Sequence, residues 1–491
     1  MRTATLAGIR AVPVDVQLDI GNGLPVFTIV GLGDTAVLEA RERVRSAIRA
    51  QGYRFPNARV IVNLAPAPLR KHGTGFDLPI AAAVLAATGQ IDREVLAGCL
   101  VVGELSLDGK VASVPGMLAH ALGAREAGLT LLGPATARDA CGCLEGLRFR
   151  PVNVLRDLVQ GAAGEESYSV TLKHSRPVGG PDLADVAGHD IAKRSLEIAA
   201  VGGHNLMFVG PPGSGKTMLA RRLAGLLPPL GESERLEAAL IHSVAGHDER
   251  TVLAGVRPFR APHHSVSVAG LVGGGTPPRP GEVSLAHGGV LFLDETPQYG
   301  PGALQALRQP LEDGIVTLVR AEGRTTYPSR FALVAAANPC PCGYFGDPQH
   351  LCTCAQREVQ RYLGRIGGPL LDRIDLHLRV ERIDPGTILS GPQGESSETV
   401  SERVRMAREL ALDDGRTDTS TLHGSMLLAA CRLTPAASER LTLVARSMHL
   451  SGRSVTRMLR VARTVADLAG LRRVDVEHIN ESLGYRQLGG C

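Results

Sequence analysis

Tryptophan is absent from this chain, and aromatic residues make up only 3% of its 491 positions. The cores must therefore be built from Ala, Val and Leu, and aromatic platforms for stacking bases are largely unavailable. Charge of one sign is also scarce. The 53 Lys and Arg against 49 Asp and Glu leave a formal net charge of +4. Any basic surface must come from local arrangement, multiplied where the chain oligomerises. No apolar run reaches the ~18–20 residues of a bilayer span. The first ten residues show neither a signal-peptide apolar region nor a cleavage site, so the expected compartment is the cytoplasm. Nine cysteines, an odd number, argue against a disulfide framework.

What is present is ample apolar material, 44% of the residues, and enough length for about three domains at ~150 residues each. Residues 1–165 read as an α+β domain. Alternation and apolar runs predict strands over 14–20, 27–30, 60–64 and 100–104, and helical spacing predicts helices over 36–51, 78–88 and 117–128. Gly-, Ser-, Glu- and Pro-rich residues mark a linker over 166–181. A parallel-sheet α/β unit follows over 182–388, then a polar linker over 389–399 and an all-helical part over 400–491.

The sequence G-P-P-G-S-G-K-T over 210–217 matches G-x-x-x-x-G-K-[ST], with an apolar run before it and helical spacing after it. Between strand and helix, the backbone N–H groups of Gly210, Pro211, Pro212, Gly213, Ser214 and Gly215 (the two prolines aside) can surround phosphate at a helix N-terminus. Lys216 can reach the β- and γ-phosphates of ATP, and the Thr217 hydroxyl can ligate Mg²⁺. A second apolar run, 290–293, ends in Asp294 and Glu295. Asp294 is placed to hold Mg²⁺ and Glu295 to draw a proton from the attacking water. A third, 332–337, ends in Asn338, whose amide can hold that water or the γ-phosphate without acting as a base. Solvated acids and turn asparagines are common at strand ends; the order of the three motifs is what points to an AAA+ ATPase. Arg373, after the run 368–371, is either a surface ion-pair residue or an arginine reaching a neighbour's nucleotide. In the arginine-rich helix around 451–463, Arg453 is the candidate lid contact to nucleotide, with Arg457 in reserve.

The run V-A-G-H-D-I-A-K-R-S-L-E-I-A-A over 186–200, G-G-H-N at 202–205, N-P-C-P-C-G-Y at 338–344, G-P-L-L-D-R-I-D-L-H at 368–377 and R-V-A-R-T-V-A-D-L at 460–468 resemble the YifB/ComM group of magnesium-chelatase-like AAA+ proteins over essentially the whole chain. The resemblance implies a Lon-like N-terminal domain, an AAA+ core of the helix-2-insert type and a helical lid. It also implies a homo-hexameric, ATP-driven motor on single-stranded and branched DNA, promoting branch migration as transforming DNA recombines. The chain departs from the family's pattern at His189, where glutamine is usual, and this departure reads as lying away from the catalytic groups. V-G-E-L-S-L-D-G-K-V at 102–111 is similar to Lon protease, yet the nucleophile position falls on Gly75 and the lysine position near Leu118. Proteolysis needs both groups, so the domain reads as a platform for DNA contact or ring formation. Arg41, Arg43, Arg45, Arg49, Arg54, Arg70 and Lys71 form a basic cluster suited to phosphate or, equally, a solvated face.

In ATPases of the resembled type, hairpins line the central channel. Here a Gly/Pro-rich insertion over 256–281 and an alternating hairpin over 314–327 supply Arg279, Arg320 and Arg324 as candidate DNA contacts. Cys340, Cys342, Cys352 and Cys354 form two close pairs that can close a tetrahedral Zn²⁺ site, with His350 as an alternative ligand. Cys141 and Cys143 have no second pair nearby and read as metal-free. Competing functions are a chelatase-type motor subunit acting on a protein partner, an ATP-dependent protease and an ATP-gated regulator.

Overall fold

The computed structural model describes residues 1–158, 181–320, 323–389 and 394–486. Of the expected linker over 166–181, residues 166–180 therefore lie outside the described residues, as do 390–393 of the second linker and 321–322 of the hairpin.

The N-terminal part is a seven-stranded mixed sheet in the order Val26–Val30, Arg59–Ala65, Arg10–Gly21, Arg2–Ala7, Cys99–Val101, Thr130–Pro134, Phe149–Val152. Helices stand at Thr35–Ala50, Asp77–Ala87 and Met117–Glu126, within two residues of their expected bounds. In the first, Val37, Ala40, Val44, Ala47 and Ile48 recur at helical spacing and are buried against the sheet, and the Asp34 carboxylate caps it by accepting the Val37 N–H at 3.0 Å. The second is buried along its length from Asp77 to Leu85, which its run of small alanines permits. The strand Arg2–Ala7 was not expected: R-T-A-T-L-A is too polar to read as a core strand, yet Thr3 and Thr5 are buried in it.

Across the second part, five strands run parallel in the order Phe259–Arg260, Val290–Leu293, Ala332–Ala337, Leu206–Val209, Leu376–Arg379. The middle three are nearly continuous apolar runs, as strands covered on both faces require. Parallel pairing lines up their carboxyl ends on one edge, where ligands of open α/β sheets bind. Two excursions leave this core. Between the first two strands of the chain order that follow the phosphate loop, the helices Val268–Val272 and Glu282–Leu285 are separated by a ribbon pairing Gly273–Gly274 with Arg279–Pro280. Ahead of Ala332–Ala337, Ile315–Arg320 and Gly323–Pro328 form an antiparallel hairpin.

Helices Ser397–Asp413, Gly424–Cys431, Pro435–Ser447, Gly452–Leu468 and Val476–Gly484 build the C-terminal part. Val400, Val404, Ala407, Val461 and Val465 share a core with Leu196, Leu219 and Leu223 of the helices beside the phosphate loop. His204, fully buried, ties strand to lid: Nδ1 lies 2.8 Å from Asp375 Oδ2 and Nε2 2.8 Å from Thr464 Oγ1. None of the described helices is long and apolar enough to cross a membrane.

The N-terminal part and the parallel-sheet part share a core. Leu100, Val102, Leu118 and Phe149 cluster with Ala238, Leu240, Val244 and Leu253 from the helices Glu232–Ala245 and Arg250–Leu253. The junction is also hydrogen-bonded, because Gly116 N–H donates to the Ser243 carbonyl at 2.8 Å and Leu118 N–H to the Ser243 hydroxyl at 3.3 Å.

Candidate functional site

The strand Leu206–Val209 delivers the chain to a turn that only glycine can make. A Cβ on Gly210 would lie 2.0 Å from the Val380 carbonyl oxygen. Gly213 and Gly215 adopt φ of +77° and +86°, the left-handed region. The turn feeds helix Lys216–Leu226, which has no side-chain cap, so its first N–H groups face the loop's interior. Lys216 Nζ donates to the carbonyls of Gly210 at 2.7 Å and Pro211 at 2.8 Å and lies 3.4 Å from Asn338 Oδ1. Burial lowers its pKa to about 8, against the pull of Asp294 and Glu295. The Thr217 hydroxyl donates to Asp294 Oδ2 at 2.8 Å. Residues from four chain segments thus meet at one sheet edge.

Glu295 adopts φ of +48°, a conformation a non-glycine residue enters only when its surroundings enforce it. The enforcement comes from Thr296, whose hydroxyl is within 2.9 Å of the Leu293 carbonyl and 3.0 Å of the Ala336 carbonyl, bridging two strand ends. The turn leaves the Glu295 carboxylate half-exposed, 3.6 Å from His264 Nδ1. His264 is a neighbour of this carboxylate that the sequence did not single out, since nothing but its position after a two-residue strand marks it.

His189 does not lie away from the site. A Cβ on Gly215 would stand 3.3 Å from its Nε2, and the ring hydrogen-bonds the Ser214 backbone. The residue turns the chain with φ of +58° into helix Asp190–Gly202, which brings its ring back over the phosphate loop. Burial and, after it, Lys193 hold its pKa below the ordinary histidine range.

Arg373 pairs with Glu312 and donates to the Pro369 carbonyl at 2.6 Å; its contacts go to these groups and not to its own chain's phosphate loop. Of the two lid candidates, Arg457 is mostly buried and donates to the Leu371 and Ile374 carbonyls at 2.9 and 3.2 Å. Arg453 is exposed, with Asp372 at 3.0 Å as its one partner among the described residues, and is the one able to swing toward a ligand.

Beside the phosphate loop, the sulfurs of Cys340, Cys342, Cys352 and Cys354 all lie within 4.8 Å of one another, and those of Cys340 and Cys342 are 3.3 Å apart. Four thiols with no competing carboxylate match the donor set of a closed tetrahedral zinc site, whose ~2.3 Å bonds place sulfurs just under 4 Å apart. His350 is not among them, because its ring stacks on Tyr344 and faces Asp347 and Arg382. A Cβ on Gly343 would lie 2.8 Å from Pro212 Cδ, so the cysteine loop abuts the phosphate loop.

The two excursions pack on each other: the Tyr327 hydroxyl donates to the Pro278 carbonyl at 2.8 Å, and Leu318 lies against Gly273. They bring Arg279, Arg320 and Arg324 to one cleft. The basic cluster of the N-terminal part divides instead. Arg43 is bound to buried Asp77 at 2.6 and 2.9 Å, and Arg45 lies over the Phe55 ring at 5.3 Å. Lys71 is fully buried, donates to the Pro66 carbonyl at 2.5 Å, and has its pKa lowered by desolvation. These three are structural, whereas Arg41, Arg49, Arg54 and Arg70 are exposed. At the Lon-type positions, a Cβ on Gly75 would meet Val102 and Val114, and Leu118 is buried in the shared core.

Comparison with known proteins matches three family descriptions along the chain. They are "Magnesium chelatase, subunit ChlI" over 182–388, "Subunit ChlI of Mg-chelatase" over 16–136, and "Magnesium chelatase, subunit ChlI C-terminal" over 394–486. YifB of Escherichia coli is 42% identical over 99% of this chain and 97% of its own. Competence protein ComM of Haemophilus influenzae is 39% identical over 98% of this chain and 96% of its own. Lon protease 2 of Bacillus subtilis is similar over a shorter span, 26% identical over 51% of this chain and 49% of its own.

Proposed function

This chain belongs to the YifB/ComM family of magnesium-chelatase-like AAA+ proteins, and from that premise we propose that it is an ATP-driven motor acting on DNA. The observation that carries the reading is the coupling of two sites in one sheet. Thr217, Asp294, Lys216 and Asn338 converge at its carboxyl edge, and the ribbons bearing Arg279, Arg320 and Arg324 grow from its connections. The ribbon between Val268–Val272 and Glu282–Leu285 interrupts the helical connection ahead of the carboxylate strand, which supports a helix-2-insert assignment. Residues 1–165, 182–388 and 400–491 serve as Lon-like platform, ATPase core and lid, joined by 166–181 and 389–399.

In this reading Gly210 to Thr217 cradle ATP, and Thr217 and Asp294 hold Mg²⁺. Glu295 accepts a proton from water as its oxygen bonds to the γ-phosphorus and the bond to the β-phosphate oxygen breaks, releasing ADP. Asn338 steadies the water, Arg453 closes the lid, and Arg373 completes the site of the next subunit in a homo-hexamer, which accounts for its position off its own phosphate loop. The four cysteines take zinc and stiffen the loop pressed on Pro212. The DNA is single-stranded and branched, and the process is branch migration in natural transformation and homologous recombination.

A second reading follows from the family descriptions, all of which are of magnesium chelatase. On it, the same hydrolysis remodels a protein partner. One assay separates the two: ATP hydrolysis with and without single-stranded and branched DNA, with Glu295→Gln as control. Stimulation by DNA that vanishes in the variant supports the DNA motor. Glu295-dependent hydrolysis indifferent to every DNA refutes it and favours the protein partner.

A further inference from the structure

The cleft that receives Arg279, Arg320 and Arg324 has a second wall. It encloses about 300 Å³, and its other side is made by the N-terminal part: the turn at Ala7 and Gly8, the segment 68–76, and His120. Contact is direct, since a Cβ on Gly8 would stand 3.2 Å from the Thr326 carbonyl oxygen. Arg70 lies on this wall, opposite the three ribbon arginines. Among the described residues lining the cleft none is acidic, although Asp and Glu are nearly as common in the chain as Lys and Arg. The position where a Lon-type nucleophile would stand, Gly75, is part of the lining, so the cleft occupies the seat of a protease site without the Lon-type serine.

His120 also lines the cleft, is only 4% exposed, and has its pKa lowered to about 4 by burial, so it adds a neutral ring among the arginines. Among the described residues the lining contains Phe76 but no tyrosine, so contacts fall on the backbone of a strand.

We propose that this cleft is a composite phosphodiester-binding site in which the N-terminal part, through Arg70, grips a single nucleic-acid strand together with Arg279, Arg320 and Arg324. The inference rests on the DNA-motor reading and extends it: the Lon-like part is half of the grip.

The test is binding of the full chain to a labelled oligo-dT strand at several salt concentrations. Each phosphate contact contributes about 0.7 to the slope of log affinity against log salt for a single strand. Arg70→Gln is expected to weaken binding and flatten that slope by about that amount, as Arg324→Gln does, and Arg70→Lys, which keeps the charge, to restore it. A slope altered by Arg324→Gln but not by Arg70→Gln overturns this inference and leaves the DNA motor standing. Failure of the wild-type chain to bind any strand removes both. Inorganic pyrophosphate serves as the free-anion probe: saturable binding that Arg70→Gln abolishes while DNA affinity is unmoved assigns the cleft to a free anion and overturns the strand proposal. Photocrosslinking of a thiothymidine strand to the unaltered chain gives a check independent of folding. Crosslinks within 68–76 are expected, and crosslinks confined to the two ribbons refute the proposal.

Discussion

Asp467→Asn is expected to loosen the lid more than any other single change of one oxygen for nitrogen. Asp467 is 2% exposed, and its two oxygens receive Arg416 at 2.7 and 2.8 Å and Arg463 at 3.0 Å. Removing the carboxylate charge leaves two buried guanidiniums with unequal resources. Arg463 keeps the carbonyls of Ala430 and Arg472 at 3.3 and 2.9 Å and that of Leu471. Arg416 keeps only Asp414 at 3.4 Å, so the loss falls mainly on it. Breaking a buried pair from one side costs about 3–5 kcal/mol. Because these helices share a core with the parallel-sheet part, about 2–4 °C per kcal/mol applies, and their joint calorimetric transition should fall by roughly 6 °C or more. Because Arg453 rides on the same helix, Gly452–Leu468, the variant should also raise KM for ATP. Replacing both partners, Arg416→Met with Asp467→Leu, should recover part of the loss, since Arg416 no longer needs a counter-charge while Arg463 keeps only its three backbone carbonyls. A fall of less than about 4 °C for Asp467→Asn, the equivalent of roughly 1 kcal/mol, would refute the reasoning.

ATP affinity should depend on alkaline pH through Lys216. Burial holds its free-state pKa at about 8, and bound phosphate must raise it, so binding takes up a proton above that pH. Affinity is therefore flat below pH 8 and weakens toward about tenfold per pH unit above it; titration by isothermal calorimetry in two buffers checks both the affinity and the proton uptake, and a flat profile to pH 9.5 contradicts it. The purified chain should carry one zinc, with the four loop thiols unreactive until it is chelated. Cys352→Ser should lose that zinc, and a metal-free chain with four freely reactive thiols would rule the site out. His189→Ala should raise KM for ATP by about tenfold with little change in kcat, by loss of a hydrogen bond worth about 1–1.5 kcal/mol to the loop. His189→Gln, which retains a donor, should restore most of it, and a selective fall in kcat would show that the contact acts elsewhere.

The parts of the site legible in the sequence are those fixed by local runs. Four apolar residues before Gly210, four before Asp294 and six before Asn338 announce buried parallel strands, and a parallel sheet leaves their ends nowhere to go but one edge. The edge strand Phe259–Arg260, two residues long, has no periodicity to read. Neither does the fate of adjacent charges. Arg70 lines a cleft while Lys71, at a bridge to Gly33, is fully buried and donates to the Pro66 carbonyl five residues back. Arg43 is consumed by Asp77, a partner 34 residues along that only the tertiary fold supplies. His189 was misplaced for a related reason: distance from the catalytic motifs along the chain says little about a residue whose left-handed backbone folds its ring onto Gly215.

The cluster that joins Leu118 and Phe149 to Ala238 and Val244 makes the peptide link between the first two parts mechanically redundant. A protease nick anywhere between 159 and 180 would yield two fragments that travel as one particle. The same seam gives the assembly a stiff transmission. A tilt of helix Glu232–Ala245 would pull on the N-terminal part through the two hydrogen bonds to Ser243. On the motor reading, displacement generated around Lys216 would reach a surface far from the nucleotide as leverage.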